Sequence, residues 1–223
     1  CPLCGIIFHR DDVAGQRQQA VGIDRAAHAG IRVACAEEKF SDSRQAAESI
    51  FPSENVMTYE TYEDAYKAVE EGDCEVAVLP LENSDRGDVG KVYDLIYLGS
   101  LHVNSVRAVD HDGSTTRYVV LSRAASGADP SKETEFLMVM FTVKDEVGGL
   151  AKALNVISVY GYNMHGLRSR PIKDVPWHYY FYVELEGKRS ADSEERMIRG
   201  LSAACLSVRV VGHLTDETFT TGR

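Results

Sequence analysis

Three polar side chains with different chemistry end the apolar segment "VAVLPLENS", where Glu82, Asn83 and Ser84 stand side by side. A carboxyl, an amide and a hydroxyl group at one point of the chain can carry a proton, donate hydrogen bonds and orient a ligand. A structural role is the alternative, because Asn83, Ser84 or Asp85 could cap the helix that the sequence predicts over 88–99. The sequence pattern leaves both interpretations open.

A second polar group begins the segment "TTRYVVLSR", where Thr116 and Arg117 are neighbours in a predicted strand. The hydroxyl of Thr116 can donate to a leaving oxygen, and the planar guanidinium of Arg117 can bind a carboxylate through two hydrogen bonds. The alternative is an ordinary pair of strand residues with the guanidinium in solvent.

Alternating strand and helix signals predict the elements that must position these groups. The strand candidates "IRVAC", "NVMTY" and "CEVAVLP" alternate with the helix candidates "SDSRQAAESIF" and "TYEDAYKAVEEGD". Ser41 or Asp42 is the predicted cap of the first helix, and Thr61 with Asp64 forms a capping box in the second, which ends at Gly72. This order is typical of a parallel α/β sheet, whose ligands bind at the carboxyl ends of the strands. "LENS" lies at such an end, which favours the functional interpretation.

A small, polar segment broken by Gly and Pro, "RAASGADPSKE", is the predicted domain boundary. The pattern after it predicts a βαββαβ order, in which Leu150, Leu154 and Ile157 share one helical face. Such an order gives an antiparallel sheet with both helices on one face, a ferredoxin-like fold. We therefore expect an N-terminal segment over 1–30, a parallel-sheet domain over 31–122, a linker over 123–133, a second domain over 134–215 and a tail over 216–223.

Composition restricts the partners of this chain. Its 34 acidic against 24 basic residues give a formal net charge of −10, which argues against general affinity for nucleic acid or anionic membranes. No apolar run approaches the length of a membrane span, and the first residues lack the features of a signal peptide, so we expect a cytoplasmic protein. The sequence begins at Cys1, and residues 1–30 are expected to be processed or incomplete.

The cysteines favour reduced thiols over a disulfide framework, because their number, five, is odd and they are scattered along the chain. "CPLCG" resembles half of a zinc knuckle, since two thiolates at that spacing can bind one tetrahedral ion. No second CxxC follows, and His9 and His28 lie at unsuitable intervals, so the thiol interpretation is favoured.

Four ordered blocks, between about Ile31 and the C-terminus, carry a family resemblance. "LENS" is similar to an I-E-N-S block, "TRY" to a T-R-F block, "GGLA" to a G-A-L-V block and "LRSRP" to an E-S-R-P block. In this order they resemble prephenate dehydratase, which has a periplasmic-binding-protein-like catalytic part and a C-terminal ACT regulatory domain, and is often fused to chorismate mutase.

The resemblance implies decarboxylation and dehydration of prephenate to phenylpyruvate in phenylalanine biosynthesis, within the shikimate pathway. It implies no metal or organic cofactor, and a homodimer or homotetramer formed through ACT domains. The catalytic candidates are Thr116 and Glu82, the latter as proton source if burial raises its pKa. The substrate-binding candidates are Ser41, Asn83, Ser84, Thr115 and Arg117. The effector, phenylalanine or another amino acid, would bind Gly148, Gly149, Leu150, Asn163, Arg168, Ser169, Arg170 and Pro171.

Departures from the family pattern keep alternatives open. Only 34 positions (116 − 82) separate Glu82 from Thr116, whereas the family inserts a second catalytic lobe there, so either the protein has lost this lobe or the sequence omits it. "CAEEKFS" has Lys39 in place of a threonine, and Arg168 replaces the glutamate of the E-S-R-P block. The alternatives are a non-catalytic ACT protein that senses an amino acid, and a fragment of a bifunctional chorismate mutase/prephenate dehydratase. Gly148 and Gly149 could also serve only a tight turn.

Overall fold

A computed structural model describes residues 30–37, 42–125, 134–189 and 191–214. The predicted site residue Ser41, the neighbouring Lys39, "CPLCG" with both of its cysteines, and residues 126–133 of the predicted linker lie outside this part of the chain.

The first domain is a mixed sheet with three helices. In chain order its elements are β1 (Arg32–Ala36), α1 (Ser43–Ile50), β2 (Asn55–Tyr59), α2 (Tyr62–Glu71), β3 (Val76–Asn83), β4 (Gly87–Asp88), α3 (Gly90–Leu98), β5 (His102–His111) and β6 (Ser114–Ser122). The strand order is β2-β1-β3-β6-β5, and the short β4 pairs with β3.

The prediction of a parallel sheet is correct for β1, β2 and β3 and wrong for the rest of the domain. β1 runs parallel to β2 and β3, whereas β6 is antiparallel to both β3 and β5. β5 and β6 are joined by a turn at Asp112 and Gly113, both with positive φ. A two-residue turn of this kind can join only antiparallel strands, so the hairpin makes the sheet mixed.

Local signals set the ends of α2 as predicted. The Thr61 side chain accepts a hydrogen bond of 3.1 Å from the backbone N–H of Asp64, and Gly72 ends the helix with a left-handed φ of 92°. Asp42 occupies the N-cap position of α1 without a side-chain hydrogen bond to the helix. The predicted N-cap of α2 at Thr61 is therefore confirmed, while α1 begins without such a bond from Asp42.

The second domain has the predicted βαββαβ order. It consists of β7 (Thr134–Thr142), α4 (Gly149–Val159), β8 (Asn163–Pro171), β9 (Tyr179–Arg189), α5 (Ala191–Ala204) and β10 (Ser207–Leu214). Its four strands run in the order β10-β7-β9-β8, and every neighbouring pair is antiparallel. Ala153 and Ile157 of α4 and Met197 and Leu201 of α5 form one buried cluster with Val183 of β9, so both helices cover the same face.

The opposite face of this four-stranded sheet packs on the first domain. Met140, Tyr180 and Tyr182 belong to the same buried cluster as Tyr93 and Ile96 of α3. The Tyr93 and Tyr182 rings meet edge to face at 4.9 Å between centroids, and the Tyr97 and Tyr180 rings stack at 4.1 Å. One buried cluster therefore extends across both domains, with α3 in its middle.

Arg209 of β10 strengthens this contact at the carboxyl end of α3. Its guanidinium donates to the carbonyl oxygens of Ile96 and Leu101, each at 3.1 Å. Helix carbonyls at this end have no partner within the helix and attract cations. The second domain thus supplies the cap of a helix in the first.

Within the described part of the chain, no helix is long and apolar enough to span a membrane. Cys35 and Cys74 are buried free thiols and Cys205 is a half-buried one, which confirms the thiol interpretation for these three residues. No group of three or more His, Cys, Asp or Glu among the described residues is arranged as a metal site.

Candidate functional site

The alternation of strand side chains divides the predicted site between two faces of the first sheet. β3 and β6 pair with Asn83 opposite Thr116 and Glu82 opposite Arg117. Successive residues of a strand point to opposite faces, and directly paired residues share a face. Asn83 and Thr116 therefore lie on the face covered by α1, which we call the α1 face. Glu82 and Arg117 lie on the face that meets the second domain, the interdomain face.

Asn83 organises the polar residues of the α1 face. Its amide nitrogen donates to Thr116 Oγ1 at 2.8 Å and to Ser114 Oγ at 3.3 Å. Its amide oxygen accepts from the backbone N–H groups of Asp85 and Arg86, both at 3.0 Å. Asn83 thus shapes the turn after β3 and orients Thr116 at the same time.

The helix-capping alternative for "LENS" is wrong. α3 has Val89 at its N-cap position, and no side chain caps it. The chain forms a turn and the short β4 between Ser84 and that helix. Asn83, Ser84 and Asp85 therefore make their hydrogen bonds before the helix begins.

Ser84 and Thr115 hold the ends of β3 and β6 together. Ser84 N–H donates to the Thr115 carbonyl at 2.8 Å, and Thr115 N–H donates to Ser84 Oγ at 3.1 Å. The two hydroxyl groups donate to carboxylates in turn, Ser84 to Asp85 at 2.9 Å and Thr115 to Asp110 at 2.6 Å. These contacts fix the backbone on which Asn83 and Thr116 are mounted.

The Thr116 hydroxyl has the setting of a hydrogen-bond donor. Because it accepts from the Asn83 amide, its own proton points elsewhere. Burial raises the pKa of the neighbouring Tyr118 to about 12, and a hydrogen bond with Thr116 acts against this rise. Thr116 itself is half-buried.

Arg117 is bound on the interdomain face. Its guanidinium donates to Glu82 Oε2 at 3.2 Å and to both carboxylate oxygens of Glu184 on β9, at 2.9 and 3.0 Å. The side chain is 13% exposed, so the solvent-exposed alternative is wrong. Burial lowers the pKa of Arg117, but the charges of Glu184 and its neighbours outweigh burial and hold it above the usual value. The guanidinium of Arg117 was predicted to bind a ligand carboxylate, but in this structure it binds the carboxylate of Glu184 in the second domain.

Arg168, the residue at which the family pattern has a glutamate, meets two carboxylates of the first domain. It donates to Glu82 Oε1 at 2.9 Å and to Asp88 Oδ1 at 2.8 Å. The hydrogen bond with Asp88 raises the pKa of Arg168 well above its usual value. We call Glu82, Asp88, Arg117, Arg168 and Glu184 the interdomain ion-pair network. Both oxygens of Glu82 accept from guanidinium groups in it, so Glu82 is an ion-pair partner in this structure.

A second ion pair involves Arg170, two residues after Arg168 on β8. Arg170 binds both carboxylate oxygens of Asp94 on α3, at 2.8 and 3.0 Å, and the Tyr180 hydroxyl donates to Asp94 at 2.6 Å. Burial raises the pKa of Asp94, but the hydrogen bonds from Arg170 and Tyr180 more than offset it and hold this pKa below its usual value. Gly90 allows the approach, since a Cβ there would collide with the Arg170 guanidinium.

The effector candidates fall into separate groups within one chain. Arg168 and Arg170 point to the first domain, whereas Ser169 between them points to the helix-covered face. Asn163 donates to Glu186 at 3.4 Å and lies at the other end of β8 from Pro171, roughly 26 Å away at the usual rise per residue. Their common role in binding an effector stays a prediction.

The glycines before α4 have a structural reason of their own. Gly148 has a left-handed φ of 79°, and a Cβ on Gly149 would collide with the Lys144 carbonyl oxygen. The tight-turn interpretation therefore accounts for both residues, and Leu150 follows them in the first turn of the helix.

Sequence reasoning missed several residues of these contacts. The sequence did contain a signal for three of them. The alternation in "WHYYFYVELEG" places Tyr180, Tyr182 and Glu184 on one face of β9, and an acidic residue among aromatic residues indicates a buried charge with a partner. Glu184 is only 4% exposed, and its charge is compensated by Arg117. Ser43, at the start of α1, has a buried hydroxyl without a hydrogen-bond partner among the described residues, and no local pattern predicts this.

Part of the sequence is similar to known proteins. Residues 33–105 match the family model described as prephenate dehydratase. The bifunctional chorismate mutase/prephenate dehydratase of Aquifex aeolicus strain VF5 is 31% identical over 139 residues, which covers 62% of this chain and 36% of that protein. The chain therefore spans well under two thirds of the length of this curated relative.

Solved structures share the fold. The quorum quenching acylase GqqA is similar with a TM-score of 0.72 and 24% identity, covering 82% of this chain and 95% of that one. The prephenate dehydratase of Arthrobacter aurescens, in complex with L-Phe, is similar with a TM-score of 0.69 and 15% identity, covering 86% and 90%. At such identities the likeness shows a common fold, and one fold can serve different reactions.

Proposed function

We propose that this chain, whose residues 33–105 carry prephenate dehydratase family sequence, converts prephenate to phenylpyruvate. The observation that carries the proposal is the pair formed by Asn83 and Thr116, in which the amide orients a half-buried hydroxyl at the ends of β3 and β6. Both residues belong to blocks that resemble those of the family, and the matched relative is named for this reaction.

For this reaction the protein mainly has to position the substrate and a hydrogen-bond donor. The bond between the ring and its carboxylate breaks and the carboxylate leaves as carbon dioxide. The electron pair of that bond makes the ring aromatic while the ring hydroxyl departs, and the departing oxygen takes up a proton that comes ultimately from solvent, giving water. The aromatic product provides the driving force. A hydrogen-bond donor at the leaving oxygen lowers the barrier, because negative charge develops there in the transition state. In this proposal Thr116 is that donor and Asn83 is its positioning residue.

Incubation with prephenate tests the function directly. Phenylpyruvate is expected to form faster than in a sample without protein, and its absorbance measures the rate. Product formation at only the spontaneous rate would contradict the proposal. A control with heat-denatured protein excludes catalysis by residual buffer components.

We also propose that the second domain is an ACT regulatory domain and that an amino acid bound to it controls the first. Support comes from Arg168, which joins β8 to Glu82 and Asp88, and from a structure of the same fold that is a complex with L-Phe. An effector that displaced Arg168 would release Glu82 and thereby change the first domain. Phenylalanine is expected to change the rate of phenylpyruvate formation, and a rate independent of added phenylalanine, tyrosine and tryptophan would contradict this control.

Assembly through β8 belongs to the same proposal. β8 is an outer strand of the four-stranded sheet, and an outer strand offers backbone groups to a second copy. Light scattering on the purified chain of 24.6 kDa is expected to give two or four times this mass, and a monomer mass would contradict the assembly.

A non-catalytic amino-acid sensor is the second candidate. The observation in its favour is that Arg117 binds Glu82 and Glu184, while the chain between Glu82 and Thr116 forms only β4, α3 and β5 besides its turns. Calorimetry with phenylalanine, tyrosine and tryptophan distinguishes the candidates. Binding heat without phenylpyruvate formation favours the sensor, and product formation excludes a purely sensing role.

A further inference from the structure

The two domains also meet edge to edge, where the outer strand β5 of the first sheet lies against the outer strand β10 of the second. A Cβ on Gly212 would lie 2.6 Å from the backbone oxygen of Val103, so the two backbones approach closely at this point. Each strand has a register irregularity there, between Val103 and Ser105 in β5 and between Val210 and Gly212 in β10. We call this contact the β5–β10 seam.

A guanidinium group binds the two domains together beside the seam. Arg209 of β10 donates to the carbonyl oxygens of Ile96 and Leu101, each at 3.1 Å, and to that of Gly99. The Ile96 carbonyl lies in the last turn of α3, where carbonyls lack partners within the helix and attract positive charge. The strength of this contact therefore depends on the other charges that lie near Arg209.

His102 follows Leu101 directly and is half-buried at the seam. Burial lowers the pKa of His102 below its usual value, and the nearby charges of Arg209 and His213 on β10 lower it further. The usual value is about 6.5. The imidazole of His102 is therefore neutral at neutral pH, and this is the form that the seam accommodates.

The acidic groups around His102 bind other partners. Glu194 of α5 has its Oε1 atom 2.6 Å from Nε2 of His213. Glu70 of α2 accepts from the backbone N–H and the hydroxyl of Ser100, at 3.0 and 2.8 Å. Among the described residues no carboxylate forms an ion pair with His102, so a proton on this imidazole would place a second positive charge beside Arg209.

We propose that protonation of His102 loosens the β5–β10 seam, so that mild acid weakens the contact between the two domains. The imidazolium repels the Arg209 guanidinium and is poorly solvated in the half-buried seam, and both effects favour separation of β10 from the end of α3. An open seam binds the proton more readily than a closed one. The closed seam is therefore stable above a pH of about 6.5 and weakens as the pH falls below this value.

Hydrogen exchange of the full chain at pH 7.5 and pH 5.5, expressed as protection factors, tests the inference. Protection of β10 and of the carboxyl end of α3 is expected to fall in acid by up to about tenfold more in the wild type than in His102→Gln. One proton that binds the open seam with a pKa of about 6.5 shifts the opening equilibrium by this factor over the two pH units. His178→Gln, in the exposed turn between β8 and β9, is the matched control and is expected to behave as the wild type does.

His213→Gln tests whether the response belongs to His102 and not to its neighbour on β10. This variant is expected to keep the pH dependence of protection. An equal pH dependence in the wild type and in His102→Gln, or its loss in His213→Gln alone, would overturn the inference.

His102→Phe is a second variant without a titrating group, and it keeps a ring of similar shape at the seam. Circular dichroism identifies a variant that fails to fold, and if His102→Gln does so, His102→Phe decides by the same criterion. The measurement uses the protein without substrate or effector, so its outcome is independent of the proposed function.

Discussion

At the scale of single residues, strand geometry separates groups that are neighbours in the sequence. Thr116 and Arg117 adjoin, yet Thr116 accepts from Asn83 on the α1 face while Arg117 binds Glu82 and Glu184 on the interdomain face. A bound substrate on one face cannot use both side chains directly. The two catalytic candidates, Thr116 and Glu82, therefore lie on different faces of the sheet.

Replacement of Thr116 by valine tests its role, since valine keeps the shape of the side chain and removes the hydroxyl. Turnover of prephenate is expected to fall roughly 10²-fold or more, the usual scale for a lost donor at a developing charge. Thr58→Val on β2 is a control, because Thr58 is a strand threonine away from Asn83. Steady-state kcat measures the effect, and an unchanged value would remove Thr116 from the mechanism.

Asp94 gives a prediction about pH. Its pKa is below the usual value in the folded protein, so the ionised carboxylate contributes stability that is present at neutral pH. This contribution is lost as the pH falls below about 4, the usual value, through the lowered pKa of the folded state. Asp94→Asn is expected to cost about 1 kcal/mol at pH 7, after allowance for the partial exposure of the pair, and less in acid.

Urea unfolding of the wild type and Asp94→Asn at pH 7 and pH 3 measures this difference. Asp192→Asn is the matched control, because its ion pair with Arg196 on α5 is highly exposed and is expected to contribute little at either pH. A stability difference for Asp94→Asn that grew in acid would contradict the prediction.

At the scale of elements, β8 joins the two domains through its alternating side chains. Arg168 and Arg170, two residues apart, both face the first domain and bind carboxylates on β4, β3 and α3. The charge reversal at 168 relative to the family pattern is thus matched by Glu82 and Asp88. This strand therefore connects the second domain to the first through ion pairs of its side chains.

Arg168→Glu tests this connection by restoring the residue of the family pattern. It places like charges beside Glu82 and Asp88, so we expect a loss of roughly 1–3 kcal/mol of stability and faster hydrogen exchange in β4 and α3. Arg199→Glu on α5, which faces solvent beside Glu195, controls for the change in net charge. An Arg168→Glu protein as stable as the wild type would refute the importance of the network.

At the scale of the whole molecule, one of the buried clusters extends through both domains. Leu79 of β3 and Tyr182 of β9 are fully buried in the same cluster, with α3 between the two sheets. Loss of packing in one domain is therefore felt in the other, because the contact surface of α3 is shared. The two domains have different topologies, but because they share this buried cluster we expect the stability of each to depend on the other.

Leu79→Ala tests this joint stability. Removal of a fully buried leucine side chain is expected to cost roughly 2–5 kcal/mol, and hydrogen exchange should accelerate in β9 of the second domain as well as in β3. Leu98→Ala, at a side chain that is 64% exposed, is expected to change little. Exchange in β9 that did not respond to Leu79→Ala would show that the domains unfold independently.

The sequence by itself determined the elements and their order. The N-cap of α2 at Thr61, the end of α2 at Gly72 and the βαββαβ pattern are local, because helix periodicity and caps depend on residues a few positions apart. Only the tertiary structure decided which side chains meet. Arg117 binds Glu184, 67 positions away, and Arg168 binds Glu82, 86 positions away. Strand register and domain packing create these contacts, and no local pattern encodes either, so the division of the site between two faces appears only in the folded chain.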